Sequence, residues 1–145
     1  QLLTALLVEH LKYYFDEGGQ RPQMLLAIPL AKRRQRQRGY NQAQMICDWL
    51  VKSLNINNPK HLLLRTRETV SQQGLNAKAR RANLHNAFQI TDATQIKDKH
   101  IVLVDDVLTT GTTCSIISEL LLKQGAARVD VYCLARTGKP HTVQL

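Results

Sequence analysis

The chain is predicted to fold as an α/β domain, a parallel sheet flanked by helices. Apolar runs alternate with helix-period segments along its 145 residues, the pattern of repeated β-α units with right-handed crossovers. Two of those runs, Met24 to Leu30 and Ile101 to Val104, are almost continuously apolar, as strands covered on both faces are. Glycines close the helical stretches, Gly18-Gly19 after the first and Gly125 after the last.

In order, a first helix spans about Leu2 to Phe15, with Leu3, Leu6, Leu7, His10, Leu11 and Tyr14 on one face. Strand Met24–Leu30 follows, then an arginine-rich loop and a helix from Asn41 to Leu54 that turns Ala43, Ile46, Cys47, Leu50 and Leu54 inward. His61 to Arg65 reads as the next strand. Arg65 to Phe88 has no sustained apolar period and carries Arg65, Arg67, Lys78, Arg80 and Arg81 against one acid, Glu68. It reads as a long, mobile, basic loop between the second and third core strands, of the kind that is usually functional when it interrupts a compact domain. A short helix from Ala77 to Leu84 packed on the sheet edge is the alternative, and both readings can hold together. The strand at Ile101, a helix from Thr112 to Lys123 and a strand from Val129 to Ala135 complete the domain.

The run from Ile101 to Thr113 concentrates the chemistry. Asp105 and Asp106 follow a buried strand, and ligands of open α/β sheets bind outside the carboxyl ends of strands. Two adjacent carboxylates there can accept hydrogen bonds from the vicinal 2′ and 3′ hydroxyls of a ribose. Thr109, Thr110, Gly111, Thr112 and Thr113 then offer four hydroxyls, backbone N–H groups and one residue that lets the chain bend close to a ligand. The helix starting near Thr112 aims its positive end at the same place, a ready phosphate site. Asp and Thr also serve as ordinary turn and capping residues. The spacing of acids, hydroxyls and glycine favours a phosphoribosyl-binding site over a purely structural turn.

That pattern, apolar strand, acidic pair, apolar residue, then T-T-G-T, resembles the 5-phosphoribosyl-1-pyrophosphate (PRPP) signature of the type I phosphoribosyltransferases. A second segment is similar to the ComF/GntX-type (competence protein F) group among them: P-L followed by R-x-x-x-R-G-[FY]-N-Q-A, matched by Arg34, Arg38, Gly39, Tyr40, Asn41 and Gln42. Gln72 or Gln73, Leu75, Arg80, Asn83, Ala87 and Phe88 match a third part of the group's pattern, in the position of its flexible catalytic loop. Ala31 departs from the group, which often has a polar residue there.

The resemblance implies a Mg²⁺-dependent transferase that displaces pyrophosphate from PRPP. Asp105, Asp106 and Arg80 would be its catalytic residues, and Thr109, Thr110, Gly111, Thr112 and Thr113 its 5′-phosphate site. Arg34, Arg38 and Gly39, together with the cations of the mobile loop, would hold pyrophosphate. No residue is assigned as a direct metal ligand, and Mg²⁺ would be carried by PRPP near Asp105 and Asp106. No residue stands out as a general base, and the acceptor is unread. The resemblance to competence proteins also implies an alternative, a non-catalytic PRPP- or nucleotide-binding accessory module working with DNA-uptake machinery. It is compatible with a homodimer, and with a four-cysteine zinc module upstream of Gln1 in a longer parent chain.

Composition agrees with an anionic ligand. Twenty Lys and Arg against eleven Asp and Glu give a net charge of +9, and ten of the twenty cations fall in the two basic segments. Such a local excess suits a phosphorylated ligand, and a nucleic acid would use the same field. The seven aromatic residues do not cluster as a base-stacking platform, which weakens that second reading. Cys47, Cys114 and Cys133 are widely spaced and are expected to pack in helices or strands of a reduced, cytoplasmic protein, with no membrane partner. The five histidines lack metal-ligand spacing, the sole Gly-Lys pair precedes proline, and no serine sits in a nucleophile elbow.

Overall fold

Ile101, Val102, Leu103 and Val104 are fully buried, as their unbroken apolar run requires. They form the centre of β4 (His100–Leu108) in the computed structural model, which describes residues 2–67 and 76–137. β1 (Met24–Ala27) and β5 (Arg128–Arg136) flank β4 on either side, both parallel to it. The register sets Leu25 opposite Val102 and Asp105 opposite Cys133. Because strand residues alternate between faces, one face presents Leu25, Val102 and Val104, the other Met24, Leu26, Ile101 and Leu103.

The first face is covered by α1 (Leu2–Asp16) and α3 (Gln42–Leu54). Helix α3 turns Ala43, Ile46, Cys47, Leu50 and Leu54 inward, as its period predicts; its N-cap Asn41 accepts from the Ala43 N–H, and Asn55 closes it in the left-handed conformation. Helix α1 differs from expectation. It buries Thr4, Val8 and Leu11, with Leu7 and Phe15 packed beside them, whereas Leu3, Leu6, His10 and Tyr14 are exposed. Leucines surround most of its circumference, so the packing against α3 and β5 decides which stripe faces inward.

The second face is covered by α5 (Thr112–Lys123), through Cys114, Ile116, Ile117 and Leu121. Beside it lies a two-stranded antiparallel sheet of β2 (Leu63–Arg65) and β3 (Phe88–Ile90), which places Leu63 opposite Ile90 and Arg65 opposite Phe88. The segment read as a mobile loop joins these second and third strands in chain order. They pair with each other rather than extending the parallel sheet, since each is three residues long and Phe88 and Ile90 bury only one side. Its part from 68 to 75 lies outside the described residues, while Ala77–His85 is helix α4, capped by the Asn76 side chain on the Ala79 N–H at 2.8 Å.

Two further boundaries differ from the sequence reading. Strand β1 stops at Ala27 rather than Leu30. The arginine-rich segment is a seven-residue helix, α2 (Lys32–Arg38), every residue of which is exposed. Arg and Gln favour helix intrinsically, so a two-turn helix forms without an apolar face.

Candidate functional site

Strand β1 gives out before β4 does, and that difference in length makes the site. The last β1 contact is the Ile28 N–H on the Val104 carbonyl at 3.0 Å. Beyond it, Asp105 to Leu108 remain paired to β5 on one side only. Sequence places the acidic pair just past the end of the strand; it lies inside it, held by the β5 ladder, and is half-buried. Each carboxylate spends one lone pair locally: Asp105 Oδ1 accepts from the Asp106 N–H and Asp106 Oδ1 from the Val107 N–H, both at 2.9 Å. Acceptor capacity remains on each for a ligand.

Strand alternation carries Asp105 toward the α5 face and Asp106 toward the α3 face. Burial pushes Asp105 up to about 6, and its neighbour Asp106 adds to the rise through its side chain and its charge. Cys114, in the first turn of α5, is pushed up to about 12 by burial and next by the charge of Asp105.

Between them runs the hydroxyl-rich loop. Thr109 and Thr110 are exposed, and Gly111, Thr112 and Thr113 are half-buried. Gly111 sits at φ 76° as the residue before α5, a left-handed conformation that glycine adopts without strain. Having no side chain, it does not cap the helix. Thr110 partly takes that role: its Oγ1 lies 3.4 Å from the Thr112 N–H and 3.0 Å from Thr112 Oγ1. First-turn N–H groups, two linked hydroxyls and the positive end of a twelve-residue helix thus lie together at the start of α5, a combination that favours negative charge.

β1 and β4 are adjacent and parallel, so the segment after β1 opens at the same edge of the sheet as the Asp pair. Asn41 ties it down by donating from Nδ2 to the Ile28 carbonyl at 3.1 Å. Helix α2 starts there without a side-chain cap, because buried Ala31 stands at the capping position, and ends at Gly39 with φ 76°. Spacing of four on a helix puts Arg34 and Arg38 on one face and Lys32 and Arg36 on the opposite one. Arg38 reaches Gln42, at 3.5 Å. Arg80 lies in α4, and its side chain is outside the described residues.

The neighbouring Arg81, expected with the other loop cations beside the leaving pyrophosphate, forms an ion pair from Nη2 to Glu119 Oε1 on α5, a partner that sequence does not reveal. Glu119 also accepts from Ser115 Oγ at 3.4 Å, in the turn just after the hydroxyl-rich loop. Cys133, the register partner of Asp105, reads in sequence only as a packing residue and is half-exposed beside the site. Neither can be found from local pattern, since both act across more than 20 residues of chain. Among the described residues no cluster of three or more His, Cys, Asp or Glu could enclose a metal ion, and no helix is long and apolar enough to cross a membrane.

Known proteins share this fold. The structure is similar to a purine phosphoribosyltransferase from Pyrococcus horikoshii Ot3, with a TM-score of 0.55 and 21% identity, covering 99% of this chain and 75% of that one; at that identity the likeness concerns the fold. In sequence the chain is 41% identical over 136 residues to the DNA utilization protein YhgH of Escherichia coli (strain K12), covering 94% of this chain and 59% of that protein. It is 41% identical over 116 residues to Competence protein F of Haemophilus influenzae, covering 79% of this chain and 51% of the other. The chain therefore spans little more than half the length of these relatives. Residues 61–144 match the phosphoribosyl transferase domain family, and with such relatives the chain belongs to that family as a member of its competence protein F type.

Proposed function

We propose that this domain binds PRPP with Mg²⁺ and transfers its phosphoribosyl group to an acceptor, releasing pyrophosphate. The observation that carries the reading is the half-buried Asp105-Asp106 pair on the stretch of β4 that outruns β1 and is paired to β5 alone, followed within a few residues by the N-terminus of α5. Asp105 and Asp106 accept the ribose 2′ and 3′ hydroxyls. Thr109, Thr110, Gly111, Thr112 and Thr113 receive the 5′-phosphate on hydroxyls and backbone N–H groups. Arg34 and Arg38 share the face of α2 that would donate charged hydrogen bonds to the departing pyrophosphate, with Gly39 allowing close backbone approach. Arg80 serves from α4.

The donor set suits magnesium carried on its ligand: two adjacent carboxylates with spare acceptor capacity can take water or hydroxyl from a hydrated ion, and no protein cage is needed. When bound, the ion supplies charge neutralisation for pyrophosphate. This chain's own contribution is positioning, stabilisation of the leaving charge by arginine, and exclusion of water around an anomeric carbon that gains oxocarbenium character. The names of the relatives suggest that this chemistry serves competence or DNA utilization.

The test is release of pyrophosphate from PRPP, screened over bases and amines with and without Mg²⁺. Turnover that disappears in Asp105→Asn with Asp106→Asn, while calorimetry shows PRPP binding lost and circular dichroism an intact fold, is the expected result. Unchanged PRPP binding in the double variant would overturn the site; binding with no turnover for any acceptor would favour the accessory module.

A further inference from the structure

Helix α1 buries only one of its two apolar faces. Thr4, Val8, Leu11 and Phe15 pack toward the sheet, while Leu3, Leu6, His10 and Tyr13, with Leu2 beside them, stand on the opposite side in solvent. Successive residues turn by about 100° on a helix, so positions 3, 6, 10 and 13 line up about 180° from the buried stripe. Five of the ten large apolar side chains exposed among the described residues belong to this one helix: Leu2, Leu3, Leu6, Tyr13 and Tyr14, the first of them 75% exposed. Single exposed leucines are ordinary, whereas a contiguous apolar stripe marks a surface that another molecule covers. A helix apolar on both sides is ordinarily buried on both. At fifteen residues α1 is too short to cross a membrane.

Spacing and charge together define what covers the stripe. The 3-4-3 interval from Leu3 to Tyr13 is that of the a and d positions of paired helices, a seam that receives the knobs of a partner helix. Exposed Glu9 and Asp16, a heptad apart, flank this seam, and exposed Glu17 lies at its end. Lys12 pairs with Glu9 at 3.2 Å from the side away from the seam, and an ion pair so exposed offsets the acid weakly. The flank is therefore acidic on a chain whose net charge is +9. A second copy laid on the seam would bring two acidic flanks together, and an anionic lipid or nucleic-acid surface would be repelled by them. We propose that the outer face of α1 docks an amphipathic helix of another protein, one whose leucine-type seam is flanked by lysine or arginine. Leu3, Leu6 and Tyr13 pack into that seam, and Glu9, Asp16 and Glu17 meet its cations. The proposal does not depend on the transferase reading, because it concerns residues that reading does not use.

The experiment is fluorescence anisotropy of a labelled synthetic helix, with leucine at every a and d position and lysine elsewhere, titrated with the full chain. The same peptide carrying glutamate in place of lysine is the control. Saturable binding of the lysine peptide that weakens as salt rises is expected. Leu6→Gln and Tyr13→Ser are each expected to weaken it about tenfold or more, the loss of one buried large apolar side chain. Both side chains are exposed in the free chain, so circular dichroism should show the parent fold in each variant. Glu9→Gln with Asp16→Asn is expected to weaken binding severalfold and to flatten its salt dependence. Equal binding of the glutamate peptide, or undiminished binding of the lysine peptide to Leu6→Gln, would overturn the docking site. Self-association of the chain that Leu6→Gln abolishes would overturn it in favour of a second copy, and adsorption on phosphatidylcholine vesicles lost in that variant would overturn it in favour of a lipid surface.

Discussion

Replacing Asp105 by Asn is expected to stabilise the fold at neutral pH while harming the site, and the size of the effect follows from the environment of the carboxylate. Its ordinary value of 3.8 rises to about 6 in the folded chain, chiefly through burial and secondly through Asp106. Two units correspond to about 3 kcal/mol. The group is only half-buried, so solvent screening reduces this to about 1 to 1.5 kcal/mol. Below the unfolded value the carboxyl is protonated in both states and costs nothing. As pH rises from 3.8 through about 6, the unfolded chain loses its proton first and stability falls; above that window the whole penalty is present. The asparagine keeps an Oδ1 to accept from the Asp106 N–H, so no hydrogen bond is lost with the charge. Urea denaturation of both proteins at pH 4, 6 and 8 is the assay. The variant should match the parent at pH 4 and exceed it by about 1 kcal/mol at pH 8. A variant that is less stable at pH 8, or a difference that does not change with pH, would refute the burial argument.

Three other outcomes are expected. Arg38→Ala should weaken pyrophosphate binding by about 1.5 to 3 kcal/mol and ribose 5-phosphate binding much less, whereas Arg36→Ala on the opposite face should spare both; equal losses in the two variants, read by calorimetry, would reduce α2 to a general field. Toward a small thiol reagent at pH 8, Cys133 should react first, because burial pushes both Cys47 and Cys114 up to about 12, and PRPP should slow it because its register partner is Asp105. Fast labelling of Cys47 would contradict the packing under α3. DNA should bind weakly, with affinity that collapses as salt rises, and should be displaced by PRPP if both use Arg34 and Arg38; tight binding at physiological salt, indifferent to PRPP, would make the basic surface a nucleic-acid dock instead.

Local signals alone identify the family's motif and the elements whose pattern is unambiguous. The helix Thr112–Lys123 is legible to the residue, because a glycine precedes it, an apolar period runs through it and Gly125 follows it. The inward face of α3 is legible for the same reason, its apolar residues being confined to one stripe. The Asp pair and hydroxyl loop stand out because their residue types and spacing form a motif within neighbouring residues. Long-range packing settles the remainder. Leucines on most sides of α1 leave its buried stripe to whichever neighbours reach it. Two three-residue strands hold no information about partners, and only the match of β2 with β3 across the intervening helix sets them apart from the parallel sheet. The carbonyls and N–H groups of Asp105 to Leu108 find their ladder on β5, about 28 residues away, so the acids sit within a strand where local pattern ends one. The same distance in sequence hides the Arg81–Glu119 pair and the position of Cys133 beside Asp105. Periodicity and side-chain type are written in neighbouring residues. Strand pairing and cross-helix ion pairs depend on which distant groups the burial of apolar surface brings together.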